Sequence, residues 1–78
     1  MEEDDMSEKE IAKQMYNIII SNMEIQNINL TKLSEKLGIA DSTLSHQLKK
    51  LQQGKFISIK SLRVFEKALN ISLIFFEK

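Results

Sequence analysis

Proline is absent from this 78-residue chain, and glycine occurs only twice, at Gly38 and Gly54. These residue types are the strongest local interrupters of helices, so long helical runs are expected, broken near the two glycines. Ser7 and Glu10 have the spacing of a capping box, in which hydroxyl and carboxylate reciprocally satisfy free backbone N–H groups. Helix 1 should therefore run over 8–24, with Ile11, Met15, Ile18 and either Asn22 or Met23 on its inner stripe. The run Ile18-Ile19-Ile20 also has strand propensity, but its place late in a periodic segment favours helix. Asn29 reads as the N-cap of helix 2 (30–37), with Leu30, Leu33 and Leu37 facing inward and Gly38 at the left-handed C-cap.

Asp41-Ser42-Thr43 suits a helix start. Leu44, Leu48 and Leu51 then carry helix 3 over 41–53, before Gly54. After the connection Lys55-Phe56-Ile57, Ser58 or Ile59 opens helix 4, striped by Ile59, Leu62, Phe65 and Leu69. Asn70-Ile71-Ser72 is a break, and Ser72 should cap a short helix 5 ending at Phe76. The expected fold is all-α, five helices on one core, with residues 7–78 as a single domain. Residues 1–6, acidic and without apolar partners, are expected to be disordered.

The chain has no cysteine and one histidine, which excludes a disulfide scaffold, a thiolate zinc site and a cysteine nucleophile. No metal, no cofactor and no enzymatic activity are expected, because His46 has no second positioned group for catalysis or ligation. No apolar run approaches the length of a membrane span, and the acidic N-terminus is unlike a signal peptide. The expected setting is the cytoplasm of a bacterium, with the gene bacterial or phage-borne and the protein associated with the nucleoid.

The formal net charge of zero conceals an asymmetry: residues 1–24 sum to −5 and residues 25–78 to +5. Such a split suggests a basic working surface with an acidic segment set apart; the alternative is charges that merely solvate helix faces. Helix 2, the turn Gly38-Ile39-Ala40 and helix 3 together have the layout of a helix-turn-helix, whose second helix can enter a DNA major groove. Helix 3 offers Ser42, Thr43, Ser45, His46, Gln47, Lys49 and Lys50, all able to hydrogen-bond to bases or phosphates. Helical hairpins of this kind also occur in proteins that never touch DNA.

The segment Ile28-Asn29-Leu30-Thr31-Lys32-Leu33-Ser34-Glu35-Lys36-Leu37-Gly38-Ile39-Ala40-Asp41-Ser42-Thr43-Leu44-Ser45 resembles the helix-turn-helix of the λ-repressor-like (Cro/XRE) family. Gly54-Lys55, Ser58-Ile59-Lys60-Ser61-Leu62 and Ala68-Leu69-Asn70-Ile71-Ser72-Leu73 are similar to that family's later helices, so the resemblance spans about 28–77. It implies a five-helix domain that dimerises, binds operator DNA and regulates transcription. It places base contacts at Asp41, Ser42, Thr43, Ser45 and His46, extending to Lys49. Phosphate contacts are expected at Lys32, Lys36, Lys50, Lys55 and Lys60, as hydrated point charges.

Two departures stand out. The family often has Ser where Ala40 stands and Arg or Gln where Asp41 stands, so Asp41 is expected to cap the helix. The interval from Gly38 to Gly54 is about one helical turn longer than the pattern. A rival resemblance lies in Leu44-Ser45-His46-Gln47-Leu48-Lys49-Lys50-Leu51 with Gly54-Lys55-Phe56-Ile57, which looks like the recognition helix and turn of ArsR-type winged regulators. A wing needs two strands after that point, whereas Ile59, Leu62, Phe65 and Leu69 repeat as a helix.

The apolar end Leu73-Ile74-Phe75-Phe76 departs from the Cro/XRE pattern. Ile74, Phe75 and Phe76 are the expected homodimer interface, the alternative being that they close a small core. The leading expectation is a dimeric repressor of double-stranded DNA that reads the groove with helix 3. The alternative is a helix-turn-helix used to bind protein, as an inhibitor, antitoxin or adaptor.

Overall fold

A computed structural model describes residues 7–73. They form four helices: α1 (Glu8–Ile25), α2 (Leu30–Leu37), α3 (Asp41–Gln52) and α4 (Ile59–Leu69). α1 packs against α3 and α4, and α2 packs against the same two helices. Among the described residues there is no strand.

The starts of three helices follow from side chains that supply acceptors where helices leave N–H groups unpaired. Ser7 Oγ accepts from the Glu10 N–H, and the Glu10 carboxylate accepts from the Ser7 N–H, completing the capping box. Asn29 Oδ1 accepts from the Lys32 N–H at 2.8 Å, and Ser58 Oγ accepts from the Ser61 N–H at 3.1 Å. At the other ends, Gly38 (φ 68°) and Asn70 (φ 57°) both take the left-handed conformation that terminates a helix.

One apolar cluster joins all four helices. Ala12, Met15, Ile19 and Met23 of α1, Leu33 of α2, Leu44, Leu48 and Leu51 of α3, and Leu62, Phe65, Ala68 and Leu69 of α4 are buried. Ile57 and Leu73 complete it from the connecting segments. Of the expected α1 stripe, Met15 and Met23 are buried, but Ile11 and Ile18 are only half-buried, and the neighbouring Ala12 and Ile19 take the inner places. Ile18-Ile19-Ile20 is helical. Ile59 is 51% exposed, because it opens α4 and the inward place beside it is taken by Ile57.

The C-terminal end of α4 is held by two other elements. Gln26 Nε2 donates to the Leu69 carbonyl at 2.7 Å, and Lys36 Nζ donates to the Ala68 carbonyl at 2.8 Å. Beyond the helix, the Glu66 carboxylate accepts from the Leu73 N–H and draws Leu73 into the core. The expected break at Asn70-Ile71-Ser72 is present, and the described residues hold four helices; of the expected fifth helix only Leu73 is described, and it is not helical, while 74–76 lie outside the described residues. Residues 1–6, expected to be disordered, and the expected interface residues Ile74, Phe75 and Phe76 also lie outside them.

Candidate nucleic-acid interface

The turn between α2 and α3 is built from backbone hydrogen bonds. The Ser34 carbonyl accepts from both the Gly38 and Ile39 N–H groups, at 2.8 and 3.1 Å. Ser34 itself is buried, and its hydroxyl is satisfied by the Thr31 carbonyl at 2.8 Å. The chain then turns at Ala40, whose φ of −61° and ψ of 144° put it in the extended region that an N-cap requires. Its carbonyl accepts from the Thr43 and Leu44 N–H groups.

Ala40 has no side-chain acceptor to offer α3. The expectation that Asp41 caps the helix is therefore corrected by one position, because Asp41 already has helical geometry as the first residue of α3. Its carboxylate lies in the first turn, where the helix dipole favours negative charge. It also accepts a long hydrogen bond, 3.4 Å, from Thr31 Oγ1 on α2. Asp41 thus joins the two helices of the hairpin.

Burial of Leu44, Leu48 and Leu51 fixes which side of α3 faces outward. At 100° per residue, Ser42, His46 and Lys49 fall on the opposite side, with Ser45 on one flank and Thr43 on the other. All five are exposed. None of their side chains forms a hydrogen bond or ion pair with another described residue, in contrast with Asp41 and Gln47. The helix thus presents a row of short polar groups with one lysine, a surface that can come close to base edges.

The expected phosphate-contacting lysines have different surroundings. Lys32, Lys55 and Lys60 are exposed, on α2, in the α3–α4 connection and in the first turn of α4. Lys50 is half-buried near the end of α3. The Lys36 ammonium is engaged with the last turn of α4 through the Ala68 carbonyl.

Two features were not singled out as site residues from the sequence. The stem of Lys9 lies against Gly54 (φ 88°), so a side chain there would overlap it. A base counted within the acidic first third is thereby brought to the turn that follows α3. Gln47, one of several polar groups on helix 3, is half-buried on the α4 flank, and its Nε2 donates to Ser61 Oγ at 3.1 Å. Among the described residues no cluster of three or more His, Cys, Asp and Glu could hold a metal ion. No helix among them is long and apolar enough to cross a membrane.

Two short helices, a left-handed glycine turn and an outward polar row on the second helix define a helix-turn-helix domain of the DNA-binding type. The chain belongs to the arsR family of bacterial regulatory proteins, which it matches over residues 17–58, just over half of its length. No curated protein and no solved structure gives a significant match.

The family assignment corrects the Cro/XRE resemblance: what this chain shares with that pattern is the helix-turn-helix, and the matched family is arsR. The matched stretch contains the Leu44–Ile57 region that looked ArsR-like in the sequence. The objection raised against that resemblance nevertheless holds locally. Residues 59–69 form α4 and not a pair of strands.

Proposed function

We propose that this protein is a sequence-specific, double-stranded-DNA-binding transcriptional regulator that places α3 in the major groove. The observation that carries this reading is the outward row Ser42, Ser45, His46 and Lys49, exposed on the helix whose opposite side is buried through three leucines. Membership of the arsR family of bacterial regulatory proteins supports it. Base reading is assigned to Ser42, Thr43, Ser45, His46 and Lys49. Phosphate contacts are assigned to Lys32, Lys50, Lys55 and Lys60, while the Lys36 ammonium is assigned to α4 through its bond to the Ala68 carbonyl. The regulator acts as a homodimer and a repressor, on the nucleoid in the cytoplasm, and Ile74, Phe75 and Phe76 form the dimer surface. Because the element after α3 is another helix, backbone contacts beyond the recognition helix fall to the Lys55–Lys60 segment.

The test is selection of bound sequences from a random double-stranded DNA pool at two salt concentrations. Enrichment of a palindrome with half-sites about one helical turn apart supports a dimer reading the major groove. Weak, unselective retention lost at modest salt is only the electrostatic background of a lysine-bearing surface, and refutes the proposal.

A second reading, in which the domain binds protein, is favoured by one observation. Ile25 is 78% exposed at the end of α1, close in sequence to Ile20, Met23 and Ile28, which line a groove of about 520 Å³. Under that reading, Lys49→Glu with Lys50→Glu leaves activity intact, while Ile25→Asp removes it.

A further inference from the structure

We propose that Gln47 is a positioning residue that sets the roll of α3 through Ser61, and thereby the discrimination between operator and other DNA. The inference rests on the reading of α3 as the DNA-reading helix.

Among the polar side chains of α3, glutamine is the type best suited to a bidentate contact with adenine. Gln47, however, sits on the α4 flank, and its amide is already committed. Its Nε2 donates to Ser61 Oγ at 3.1 Å, and Ser61 Oγ also accepts from Ser58 Oγ at 3.0 Å. Ser58 Oγ in turn accepts from the Ser61 N–H as the N-cap of α4. A polar chain thus runs from the middle of α3 to the fixed first turn of α4.

Such a link does something the leucines cannot. Apolar contacts through Leu44, Leu48 and Leu51 hold α3 against the core but are not directional, so they tolerate small rolls about its axis. Side-chain tips on a helix lie about 6 Å from the axis, so a roll of about 20° moves them by about 2 Å. Hydrogen bonds to base edges lose their geometry over shifts smaller than that. A half-buried hydrogen bond on one flank restricts the roll. On the hairpin side, the Thr31–Asp41 bond is longer, 3.4 Å, exposed, and at the very start of the helix, where it constrains roll less. Non-specific binding depends on charge and is insensitive to the roll.

The experiment is a double-mutant cycle with Gln47→Ala and Ser61→Ala in the full chain. It reads affinity for the selected operator and for unrelated duplex DNA at several salt concentrations, with circular dichroism confirming folded protein. Each single variant and the double variant should lose about five- to tenfold in the ratio of operator to non-specific affinity, the size of one hydrogen bond. The double should lose no more than either single. Non-specific affinity and salt slope should stay at the wild-type values, and Ser61→Thr, which keeps the hydroxyl, should retain discrimination.

Additive losses overturn the proposal, as does a loss confined to Gln47→Ala, which would make Gln47 a direct reader of bases. Reduced stability with unchanged discrimination makes the link merely structural and also overturns it. A wild-type protein that selects no operator refutes the DNA-reading assignment itself, and this inference with it. That failure is separate, because it appears before any variant is made.

Discussion

Lys36 separates a structural role from a DNA-binding one within a single side chain, and Lys36→Met is the perturbation that does so. Methionine keeps the aliphatic stem and removes the ammonium that donates to the Ala68 carbonyl at 2.8 Å. A hydrogen bond from a charged donor contributes about 1.5–3 kcal/mol when shielded, and a cation near a helix C-terminus adds a few tenths more. Lys36 is exposed as a residue, so screening by water reduces the sum to about 1 kcal/mol. The Gln26–Leu69 bond beside it remains, which prevents wider fraying of α4. The assay is urea denaturation followed by helical circular dichroism, where the midpoint should fall with the slope unchanged. In a domain of this size the same change lowers Tm by about 4–8 °C. DNA binding supplies the second axis: the salt dependence of non-specific affinity should match the wild type. An unchanged midpoint, together with a salt slope reduced by about one, would show that Lys36 serves phosphates and not α4, refuting the reasoning.

Other perturbations test separate parts of the account. Phe65→Ala removes the largest fully buried side chain and should cost about 3–5 kcal/mol, enough to leave little folded protein in a thermal melt. Gly38→Ala meets no atom within 4 Å yet must adopt φ 68°, so it should cost about 1–2 kcal/mol, measured by denaturant titration, through backbone conformation alone. Ala40→Ser should stabilise by about 1 kcal/mol, because it supplies the side-chain acceptor that α3 lacks at its N-cap; a lowered Tm would refute the N-cap assignment. Lys49→Glu with Lys50→Glu should abolish binding in a gel-shift assay and leave the thermal melt within about 0.5 kcal/mol of wild type.

The sequence revealed the helices more clearly than their inner faces. Ser7 with Glu10, Asn29, Gly38 and Ser58 marked helix ends, because each supplies a group that the backbone needs at that point. Leu44, Leu48 and Leu51 allowed one orientation of α3 and therefore one outward face. α1 was less determinate, since Ile11, Ile18, Ile19 and Ile20 offer more than one apolar stripe. Small Ala12, which lets α1 approach its neighbours, proved to be the buried choice. Adjacent small residues also left the N-cap of α3 open by one place, a matter of backbone angles that composition does not specify.

The long-range polar bonds were not legible at all. Lys36 to Ala68 and Gln47 to Ser61 join residues 32 and 14 apart in the chain, and no local pattern announces such partners. Glu66 likewise accepts from the Leu73 N–H across seven residues, a partner that the helical stripe of α4 does not announce. The family was ambiguous for a related reason. The hairpin of 28–45 carries what helix-turn-helix families share, whereas their usual distinguishing feature lies after Ile57, where this chain continues as a helix.

Methylation interference on a selected operator tests the central claim most directly, because methyl groups at guanine N7 project into the major groove and those at adenine N3 into the minor groove. The account predicts loss of binding on guanine N7 methylation in two half-sites centred about one helical turn apart, and no loss on adenine N3 methylation between them. Interference confined to adenine N3, or no base-dependent interference at all, would contradict the placement of α3 in the major groove.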